Sequence, residues 1–256
     1  MSKRVTKKNT KAASSRANKA ADKILDKKAS KSADSKSVNS ARSAKLKAVL
    51  DHIVKAASSA SASRKVSITR ATKETQIELS LDLDGSGRVE VDTGIGFFDH
   101  MLDHIGRHGL FDLSVRAKGD LQVDDHHTVE DVGICLGEAI ARAIGNKKGI
   151  RRYGFFVVPM EESLAQVAVD LSGRAATVYR VDYQGPKIGR FDVQLVEEFL
   201  RAVALNAKMN LHVAVPYGTN DHHIAEAICK ALGKALRMAT ERDPREVSVP
   251  STKGVL

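Results

Sequence analysis

DDHHTVED at residues 124–131 and NDHHIAEA at residues 220–227 follow one pattern: two polar residues, His-His, two further residues and Glu. The copies lie 96 residues apart, counted from His126 to His222. A fixed offset between like motifs signals internal duplication, and the flanking sequence supports it. Ahead of the first copy, KVSITRAT (65–72) and TQIELSLDL (75–83) alternate apolar and polar residues as half-buried strands do. The turn signal DGSG (84–87) leads into a third strand, RVEVDT (88–93). GFFDHMLDHIGRHG (96–109) sets Phe97, Met101, Ile105 and His108 at helical spacing, and LFDLSVRA (110–117) reads as a strand. Val129, Val132, Leu136, Ile140 and Ile144 then mark a helix that ends near Gly145. The order begins again with three strands, GFFVVPME (154–161), LAQVAVDLS (164–172) and AATVYRVD (175–182). A helix over DVQLVEEFLRAVALNAK (192–208), a strand over NLHVAV (210–215) and a helix bearing Ala225, Ile228, Leu232 and Leu236 complete it. The predicted fold is α+β. A strand-strand-strand-helix-strand-helix unit is used twice, over about 66–149 and 150–256, with helices covering one side of each sheet.

In both copies Asp125 and Asp221 stand where helix N-caps belong, which puts the histidines in the first turn. The positive end of the helix dipole disfavours an imidazolium there, and a metal needs the neutral ring. Glu130 lies one turn beyond His126 and His127 and can share their face. Adjacent histidines on a helix point about 100° apart, so one pair cannot easily close on one ion. Two HHxxE motifs therefore predict two ions, each with ligands from both motifs. His100, on the first helix, and His212, in the strand leading to the second motif, are the further candidates. Six histidines and two glutamates without a thiolate point to Mn, Fe, Co or Zn in an open site rather than structural zinc. His104 and His108 read as core or rim positions, and His52 as unconnected with the site.

Charge divides the chain. Residues 1–65 hold 18 Lys/Arg against 4 Asp, a net of +14; this leaves 23 basic against 27 acidic residues, −4, for the rest of a chain of net +10. That Lys-, Ser- and Ala-rich stretch has no aromatic residue, too little apolar surface to offset the entropy of ordering it. It is expected to be a disordered basic tail, with a weak helical pattern at Leu46, Val49, Leu50, Ile53 and Val54. A transit peptide is the alternative, against which stand its excess of Lys over Arg and its four Asp. Nucleic acid is not expected on the mildly acidic remainder, and no apolar run is long enough to span a membrane. Cys135 and Cys229 sit among apolar residues and read as buried free thiols, consistent with a reducing compartment.

The chain resembles the imidazoleglycerol-phosphate dehydratase family. The resemblance rests on RATKET (70–75), FFDHMLDHIGRHGLFDL (97–113), DDHHTVED (124–131), RRYG (151–154), AVDLSGR (168–174), NLHV (210–213), NDHHIAEAICKAL (220–232) and PSTKGVL (250–256), which together span nearly all of 66–256. It implies halves like the second domain of ribosomal protein S5, assembly as a 24-mer of trimers with active sites shared between subunits, and two manganese ions per site. The metal ligands it implies are His100, His126, His127, Glu130, His212, His222, His223 and Glu226, the set already chosen from spacing. It assigns substrate contacts to Glu74, Arg107, His108 and Lys230, and phosphate contacts to Arg152, Arg174, Ser251, Thr252 and Lys253. Two departures from the family pattern are Ala175, where a proline often follows SGR, and Arg151, which doubles the arginine before Tyr153.

The implied reaction removes water from imidazoleglycerol phosphate to give imidazole-acetol phosphate in histidine biosynthesis, in the cytoplasm or, with a transit peptide, in a plastid. A metal-bound imidazolate would expel the hydroxyl through a diazafulvene, and a carboxylate would then take the acidified proton. Glu74 is the first choice of base because it lies outside the HHxxE sets; Glu226 and Glu130 are the alternatives. The same motifs also fit a binuclear phosphate-ester hydrolase, and the tail alone would suit a polyanion.

Overall fold

The computed structural model describes residues 63–255, together with Lys47. The rest of the basic tail, with its weak helical pattern, lies outside the described residues. Arg64 already belongs to the fold. It is 6 % exposed, pairs with Asp84 and donates to the carbonyl of Thr240.

The duplication is present in the four-stranded sheet and two helices of each half. In the first half β1 (Lys65–Ala71), β2 (Thr75–Asp82) and β3 (Val89–Asp92) precede α1 (Gly96–Gly109), β4 (Asp112–Gly119) and α2 (His126–Ile144). In the second half β5 (Tyr153–Met160), β6 (Ser163–Asp170) and β7 (Ala176–Arg180) precede a two-strand hairpin, β8 (Lys187–Ile188) and β9 (Phe191–Asp192). Then come α3 (Gln194–Ala207), β10 (Asn210–Tyr217) and α4 (Asp221–Thr240). The sheets run β1-β2-β4-β3 and β5-β6-β10-β7, so the late strand of each half inserts between the second and third. It pairs antiparallel with one and parallel with the other. Among the described residues, the hairpin at 187–192 is the one element the sequence reading did not contain.

Alternation decides which faces are covered. Ile77, Leu79 and Leu81 of β2, and Ala165, Val167 and Val169 of β6, are buried against the helices. Helix α2 lies on β1 and β2, α4 lies on β5 and β6, and the helices pair as α1 with α4 and α2 with α3. The helices thus share one interior, and each sheet keeps one face away from it. Both thiols are free and buried; burial pushes Cys135 up to about 11 and Cys229 up to about 12.

Asp125 stands at the N-cap of α2 as the sequence places it, whereas the N-cap of α4 is Asn220, one residue before Asp221. Asp125 precedes α2 but makes no side-chain cap; Asp124 Oδ1 instead accepts from the His126 N–H at 2.8 Å. Asn220 caps α4, its Oδ1 accepting from His222 N–H at 3.0 Å, while Asp221 is the first helical residue and accepts from the N–H groups of Gln184 and Gly185. The reason is that Asp and Asn are nearly equal as caps, so a doubled polar pair leaves the register open until the loop geometry is known.

Helix α4 is seated by two glycines. A Cβ on Gly154 of β5 would lie 1.9 Å from the Ala235 carbonyl oxygen, and one on Gly233 would lie 2.5 Å from the Ile105 carbonyl oxygen of α1. Both obstacles are backbone and cannot swing aside. Gly233→Ala is expected to destabilise the protein by about 2 kcal/mol in denaturant titration, through overpacking, although the same change in an open helix gains about 1 kcal/mol. Equal or greater stability would contradict this close contact.

Candidate metal centre

The contact between α1 and α4 brings five titratable side chains to one point. Asp99 secures the start of α1 by accepting from the Thr93 N–H at 2.9 Å and the Thr93 hydroxyl at 2.6 Å. One helical turn separates His100 from His104, and their ring centroids lie 4.3 Å apart. Glu226, from α4, points its Oε2 between them, 3.2 Å from His100 Nε2 and 3.3 Å from His104 Nε2. The same oxygen is 3.1 Å from His222 Nε2, and Glu226 Oε1 is 2.5 Å from Lys230 Nζ. Phe97 packs edge-on against the His222 ring at 5.3 Å.

The electrostatics suit a cation. Burial works to raise the Glu226 carboxyl, but Lys230, His104 and His100 outweigh it and hold it at about 2. His104 is pushed down to about 4, by burial first and then by His100 and Lys230 against the pull of Glu226. His108, whose ring lies 5.8 Å from that of His104, is lowered by burial and by Lys230 and Lys234. An ionised carboxylate therefore sits beside one imidazole, His104, that burial keeps neutral. Ligand atoms of His100, His104 and Glu226 lie within 4.8 Å of one another. Mixed nitrogen and oxygen donors of this kind fit a divalent transition metal. His104, read from sequence as core or rim, stands inside this cluster; its spacing of four from His100 is the signal that could have placed it there.

The remaining expected ligands form separate local sets. Consecutive histidines diverge: the rings of His126 and His127 stand 6.2 Å apart at 88°, and those of His222 and His223 stand 6.3 Å apart at 83°. His126 Nε2 is 3.9 Å from Glu130 Oε2. His127 Nδ1 lies 3.0 Å from Asp120 Oδ2, and its Nε2 lies 3.9 Å from Glu74 Oε1. His223 Nδ1 lies 2.7 Å from Glu162 Oε2. Asp120 and Glu162 raise the affinity of His127 and His223 for a proton, the opposite direction to the one the sequence reading expected from the helix ends. Asp120 and Glu162 were both missed there. A cleft of about 780 Å³ is lined by the starts of both motifs, Asp124 and Asp125 of the first and His222 of the second, together with His100.

His212 is on the other side of its sheet. Leu211 and Val213 are buried toward the helices, so His212 faces outward. There it lines an apolar depression with Phe155, Val157, Val178 and Ala214. Within one chain it does not join the α1–α4 cluster.

The expected phosphate residues gather elsewhere. Arg152 Nε and Nη2 donate to Asp170 at 2.7 and 3.1 Å, and Nη1 donates to the Pro250 carbonyl at 2.9 Å. That leaves one hydrogen on each terminal nitrogen. The Pro250 contact draws in the turn that carries Ser251, Thr252 and Lys253, where Ser251 Oγ accepts from the Lys253 N–H. Lys147 is lowered by burial and by Arg152, Lys208 and Arg174, which places Arg174 in the same basic group. Arg152 directly precedes β5, whereas Met160 at its far end touches Lys230. Eight extended residues span roughly 26 Å, so the two groups are far apart in one chain. Arg107 is exposed and paired with Asp103 on its own helix.

A model of the imidazoleglycerol-phosphate dehydratase family matches residues 93–236. The imidazoleglycerol-phosphate dehydratases of Geobacillus kaustophilus and Bacillus subtilis are 57 % and 55 % identical over 193 residues, 75 % of this chain and 99 % and 100 % of theirs. Among solved structures, imidazoleglycerol-phosphate dehydratase from Staphylococcus aureus aligns with a TM-score of 0.64 and 38 % identity, covering 70 % of this chain and 99 % of its own. The enzyme from Pyrococcus furiosus, solved in complex with (S)-C348, aligns at 0.65 and 35 %, covering 74 % and 100 %.

The cluster makes a direct prediction. Glu226→Gln removes the one negative charge on which three imidazoles converge. It is expected to weaken divalent-metal uptake by more than about 100-fold, beyond the range typical of groups that only support a ligand. Isothermal titration of chelated protein checks this, with circular dichroism confirming the fold; undiminished uptake would remove Glu226 from the metal centre.

Proposed function

Because the chain belongs to the imidazoleglycerol-phosphate dehydratase family, the hydro-lyases of histidine biosynthesis, we propose that it removes water from imidazoleglycerol phosphate at a two-manganese centre completed by a second copy of the chain. The observation that carries the metal reading is the convergence of His100, His104 and His222 on the ionised Glu226. His100, His126, His127, Glu130, His212, His222, His223 and Glu226 would hold the ions. The ions would supply Lewis-acid polarisation of the substrate's imidazole ring.

The chain's own groups do the rest. Lys230 keeps Glu226 ionised, and burial keeps His104 neutral. Glu74 is the proposed base for the carbon-bound proton: it is about half exposed and lies beside His127 at 3.9 Å, so its carboxylate is free to face substrate. Glu226 is the weaker alternative, since Lys230 and three histidines occupy it; Glu130, partly exposed beside His126, is the other. Arg107 and His108 extend the α1 face along which the imidazole ring would lie. Arg152, Arg174, Ser251, Thr252 and Lys253 would bind the phosphate, with the spare guanidinium hydrogens of Arg152 suited to its oxygens. Binding energy from the phosphate would fix the ring where it reacts.

Separation supports the shared site. A three-carbon substrate cannot bridge the roughly 26 Å between the ends of β5, and His212 looks out from an apolar sheet face. A neighbouring copy that brings these surfaces together satisfies both, and closed symmetric assembly repeats the arrangement in every copy; the proposed form is the 24-mer of trimers. The bacterial relatives favour the cytoplasm over a plastid as the place of action.

The test is turnover of imidazoleglycerol phosphate by chelated protein with Mn²⁺ restored. Keto product without release of inorganic phosphate is expected, and deletion of residues 251–256 should raise KM by at least about tenfold, the loss of roughly one charge-assisted contact. Phosphate release would instead favour a hydrolase, and an unchanged KM would take the C-terminal segment out of the site.

A further inference from the structure

Glu162 stands outside the expected ligand set, yet it holds one of its histidines. It closes the short turn between β5 and β6. Its Oε1 accepts from the N–H of Asn220 at 2.8 Å, from that of Thr219 at 3.2 Å and from the Ser163 hydroxyl at 2.9 Å. Its Oε2 is left for His223 Nδ1, at 2.7 Å. The two oxygens thus have separate tasks: one ties down the loop that leads into α4, and the other faces the imidazole. An ionised carboxylate can only accept, so Nδ1 carries the hydrogen and the neutral ring keeps its lone pair on Nε2.

The other half of the molecule solves the same problem differently. Glu162 directly precedes β6, as Glu74 directly precedes β2, so the two occupy matching places in the repeats. Glu74, however, lies near His127 Nε2, and the Nδ1 partner of His127 is Asp120. One position has thus been put to two uses. A carboxylate on the far nitrogen of a metal-binding histidine fixes its tautomer and its direction.

We propose that Glu162 is a positioning residue of the metal centre, holding His223 so that Nε2 is presented to an ion; this rests on the two-ion reading above. Glu161, Glu162 and His223 also lie close enough to be read as a cation site of their own. The bonding of Glu162 opposes that reading, because three donors occupy Oε1 and the imidazole occupies Oε2.

The experiment is titration of chelated full-length protein with Mn²⁺, reading stoichiometry and affinity for wild type, Glu162→Ala and Glu162→Gln. Wild type must take up two ions per chain; if it does not, the two-ion reading fails, whatever the variants do. Given two ions, Glu162→Ala is expected to weaken one of them about 10–100-fold while the other is unchanged and both still bind at saturation. Glu162→Gln keeps the side-chain length and an acceptor oxygen for the loop, and should weaken the same ion less than alanine does. It also serves as the test if the alanine variant does not fold. Wild-type affinity for both ions in the folded variants would overturn the proposal. So would equal weakening of both ions, as a merely structural role would give, or outright loss of one ion at saturation, which would make Glu162 a ligand.

Discussion

The seat of α4 governs the geometry of this molecule. Gly154 admits the α4 backbone to β5, and Gly233 admits that of α1. With no side chain between them, α1 and α4 approach closely enough for Glu226 to reach His100 and His104. A carboxylate buried at that depth is costly unless it is paired, and Lys230 from the next turn of α4 supplies the partner. Packing, charge and ligand geometry at this point are therefore aspects of one constraint: the spacing between two helices.

Duplication explains why the functional groups come in pairs and also why the pairs are unequal. Asp124 and Asn220, at the same offset as the histidines, each accept a backbone N–H of the first turn that follows, so both His-His pairs lie at the start of a helix with the same divergence of rings. The surroundings differ. α4 meets α1 across glycines, and its His222 gains the neighbours on α1 while His223 is held by Glu162. α2 packs on α3 instead, and its histidines are left with Glu74, Asp120 and Glu130. In the second half the segment between β7 and α3 adds the hairpin β8–β9, which lines the cleft shared by both motifs.

Much of this was legible in the sequence. The α+β class, the repeated order and the helices of the two halves followed from periods of 2 and 3.6, since half-buried strands and amphipathic helices carry those periods in their residues. The hairpin did not, because strands of two residues, Lys187–Ile188 and Phe191–Asp192, are too short to show any period. Ligand types were legible, but their grouping was not. That His212 faces away from the helices is contained in the alternation of Leu211, His212 and Val213, although the alternation does not say what it would meet there. Glu162 lies in a turn with no pattern of its own, and only the alignment of the two repeats brings it into view. The boundary of the fold was blurred by composition: Arg64 belongs to the basic stretch by charge and to the core by its bonds to Asp84 and Thr240.

The proposed enzyme depends on groups at opposite ends of β5 acting on one small substrate, and so on different copies of the chain supplying them. The direct measurement is complementation. Chains carrying Glu226→Gln and chains carrying Arg152→Ala, each inactive alone, are co-expressed, and dehydratase activity is assayed in the mixed assemblies. A site shared between copies predicts recovery of about a quarter of wild-type activity, the fraction of sites that draw both intact groups in random symmetric assembly. Activity no higher than that of either variant alone would place both groups in one chain's site and contradict the account.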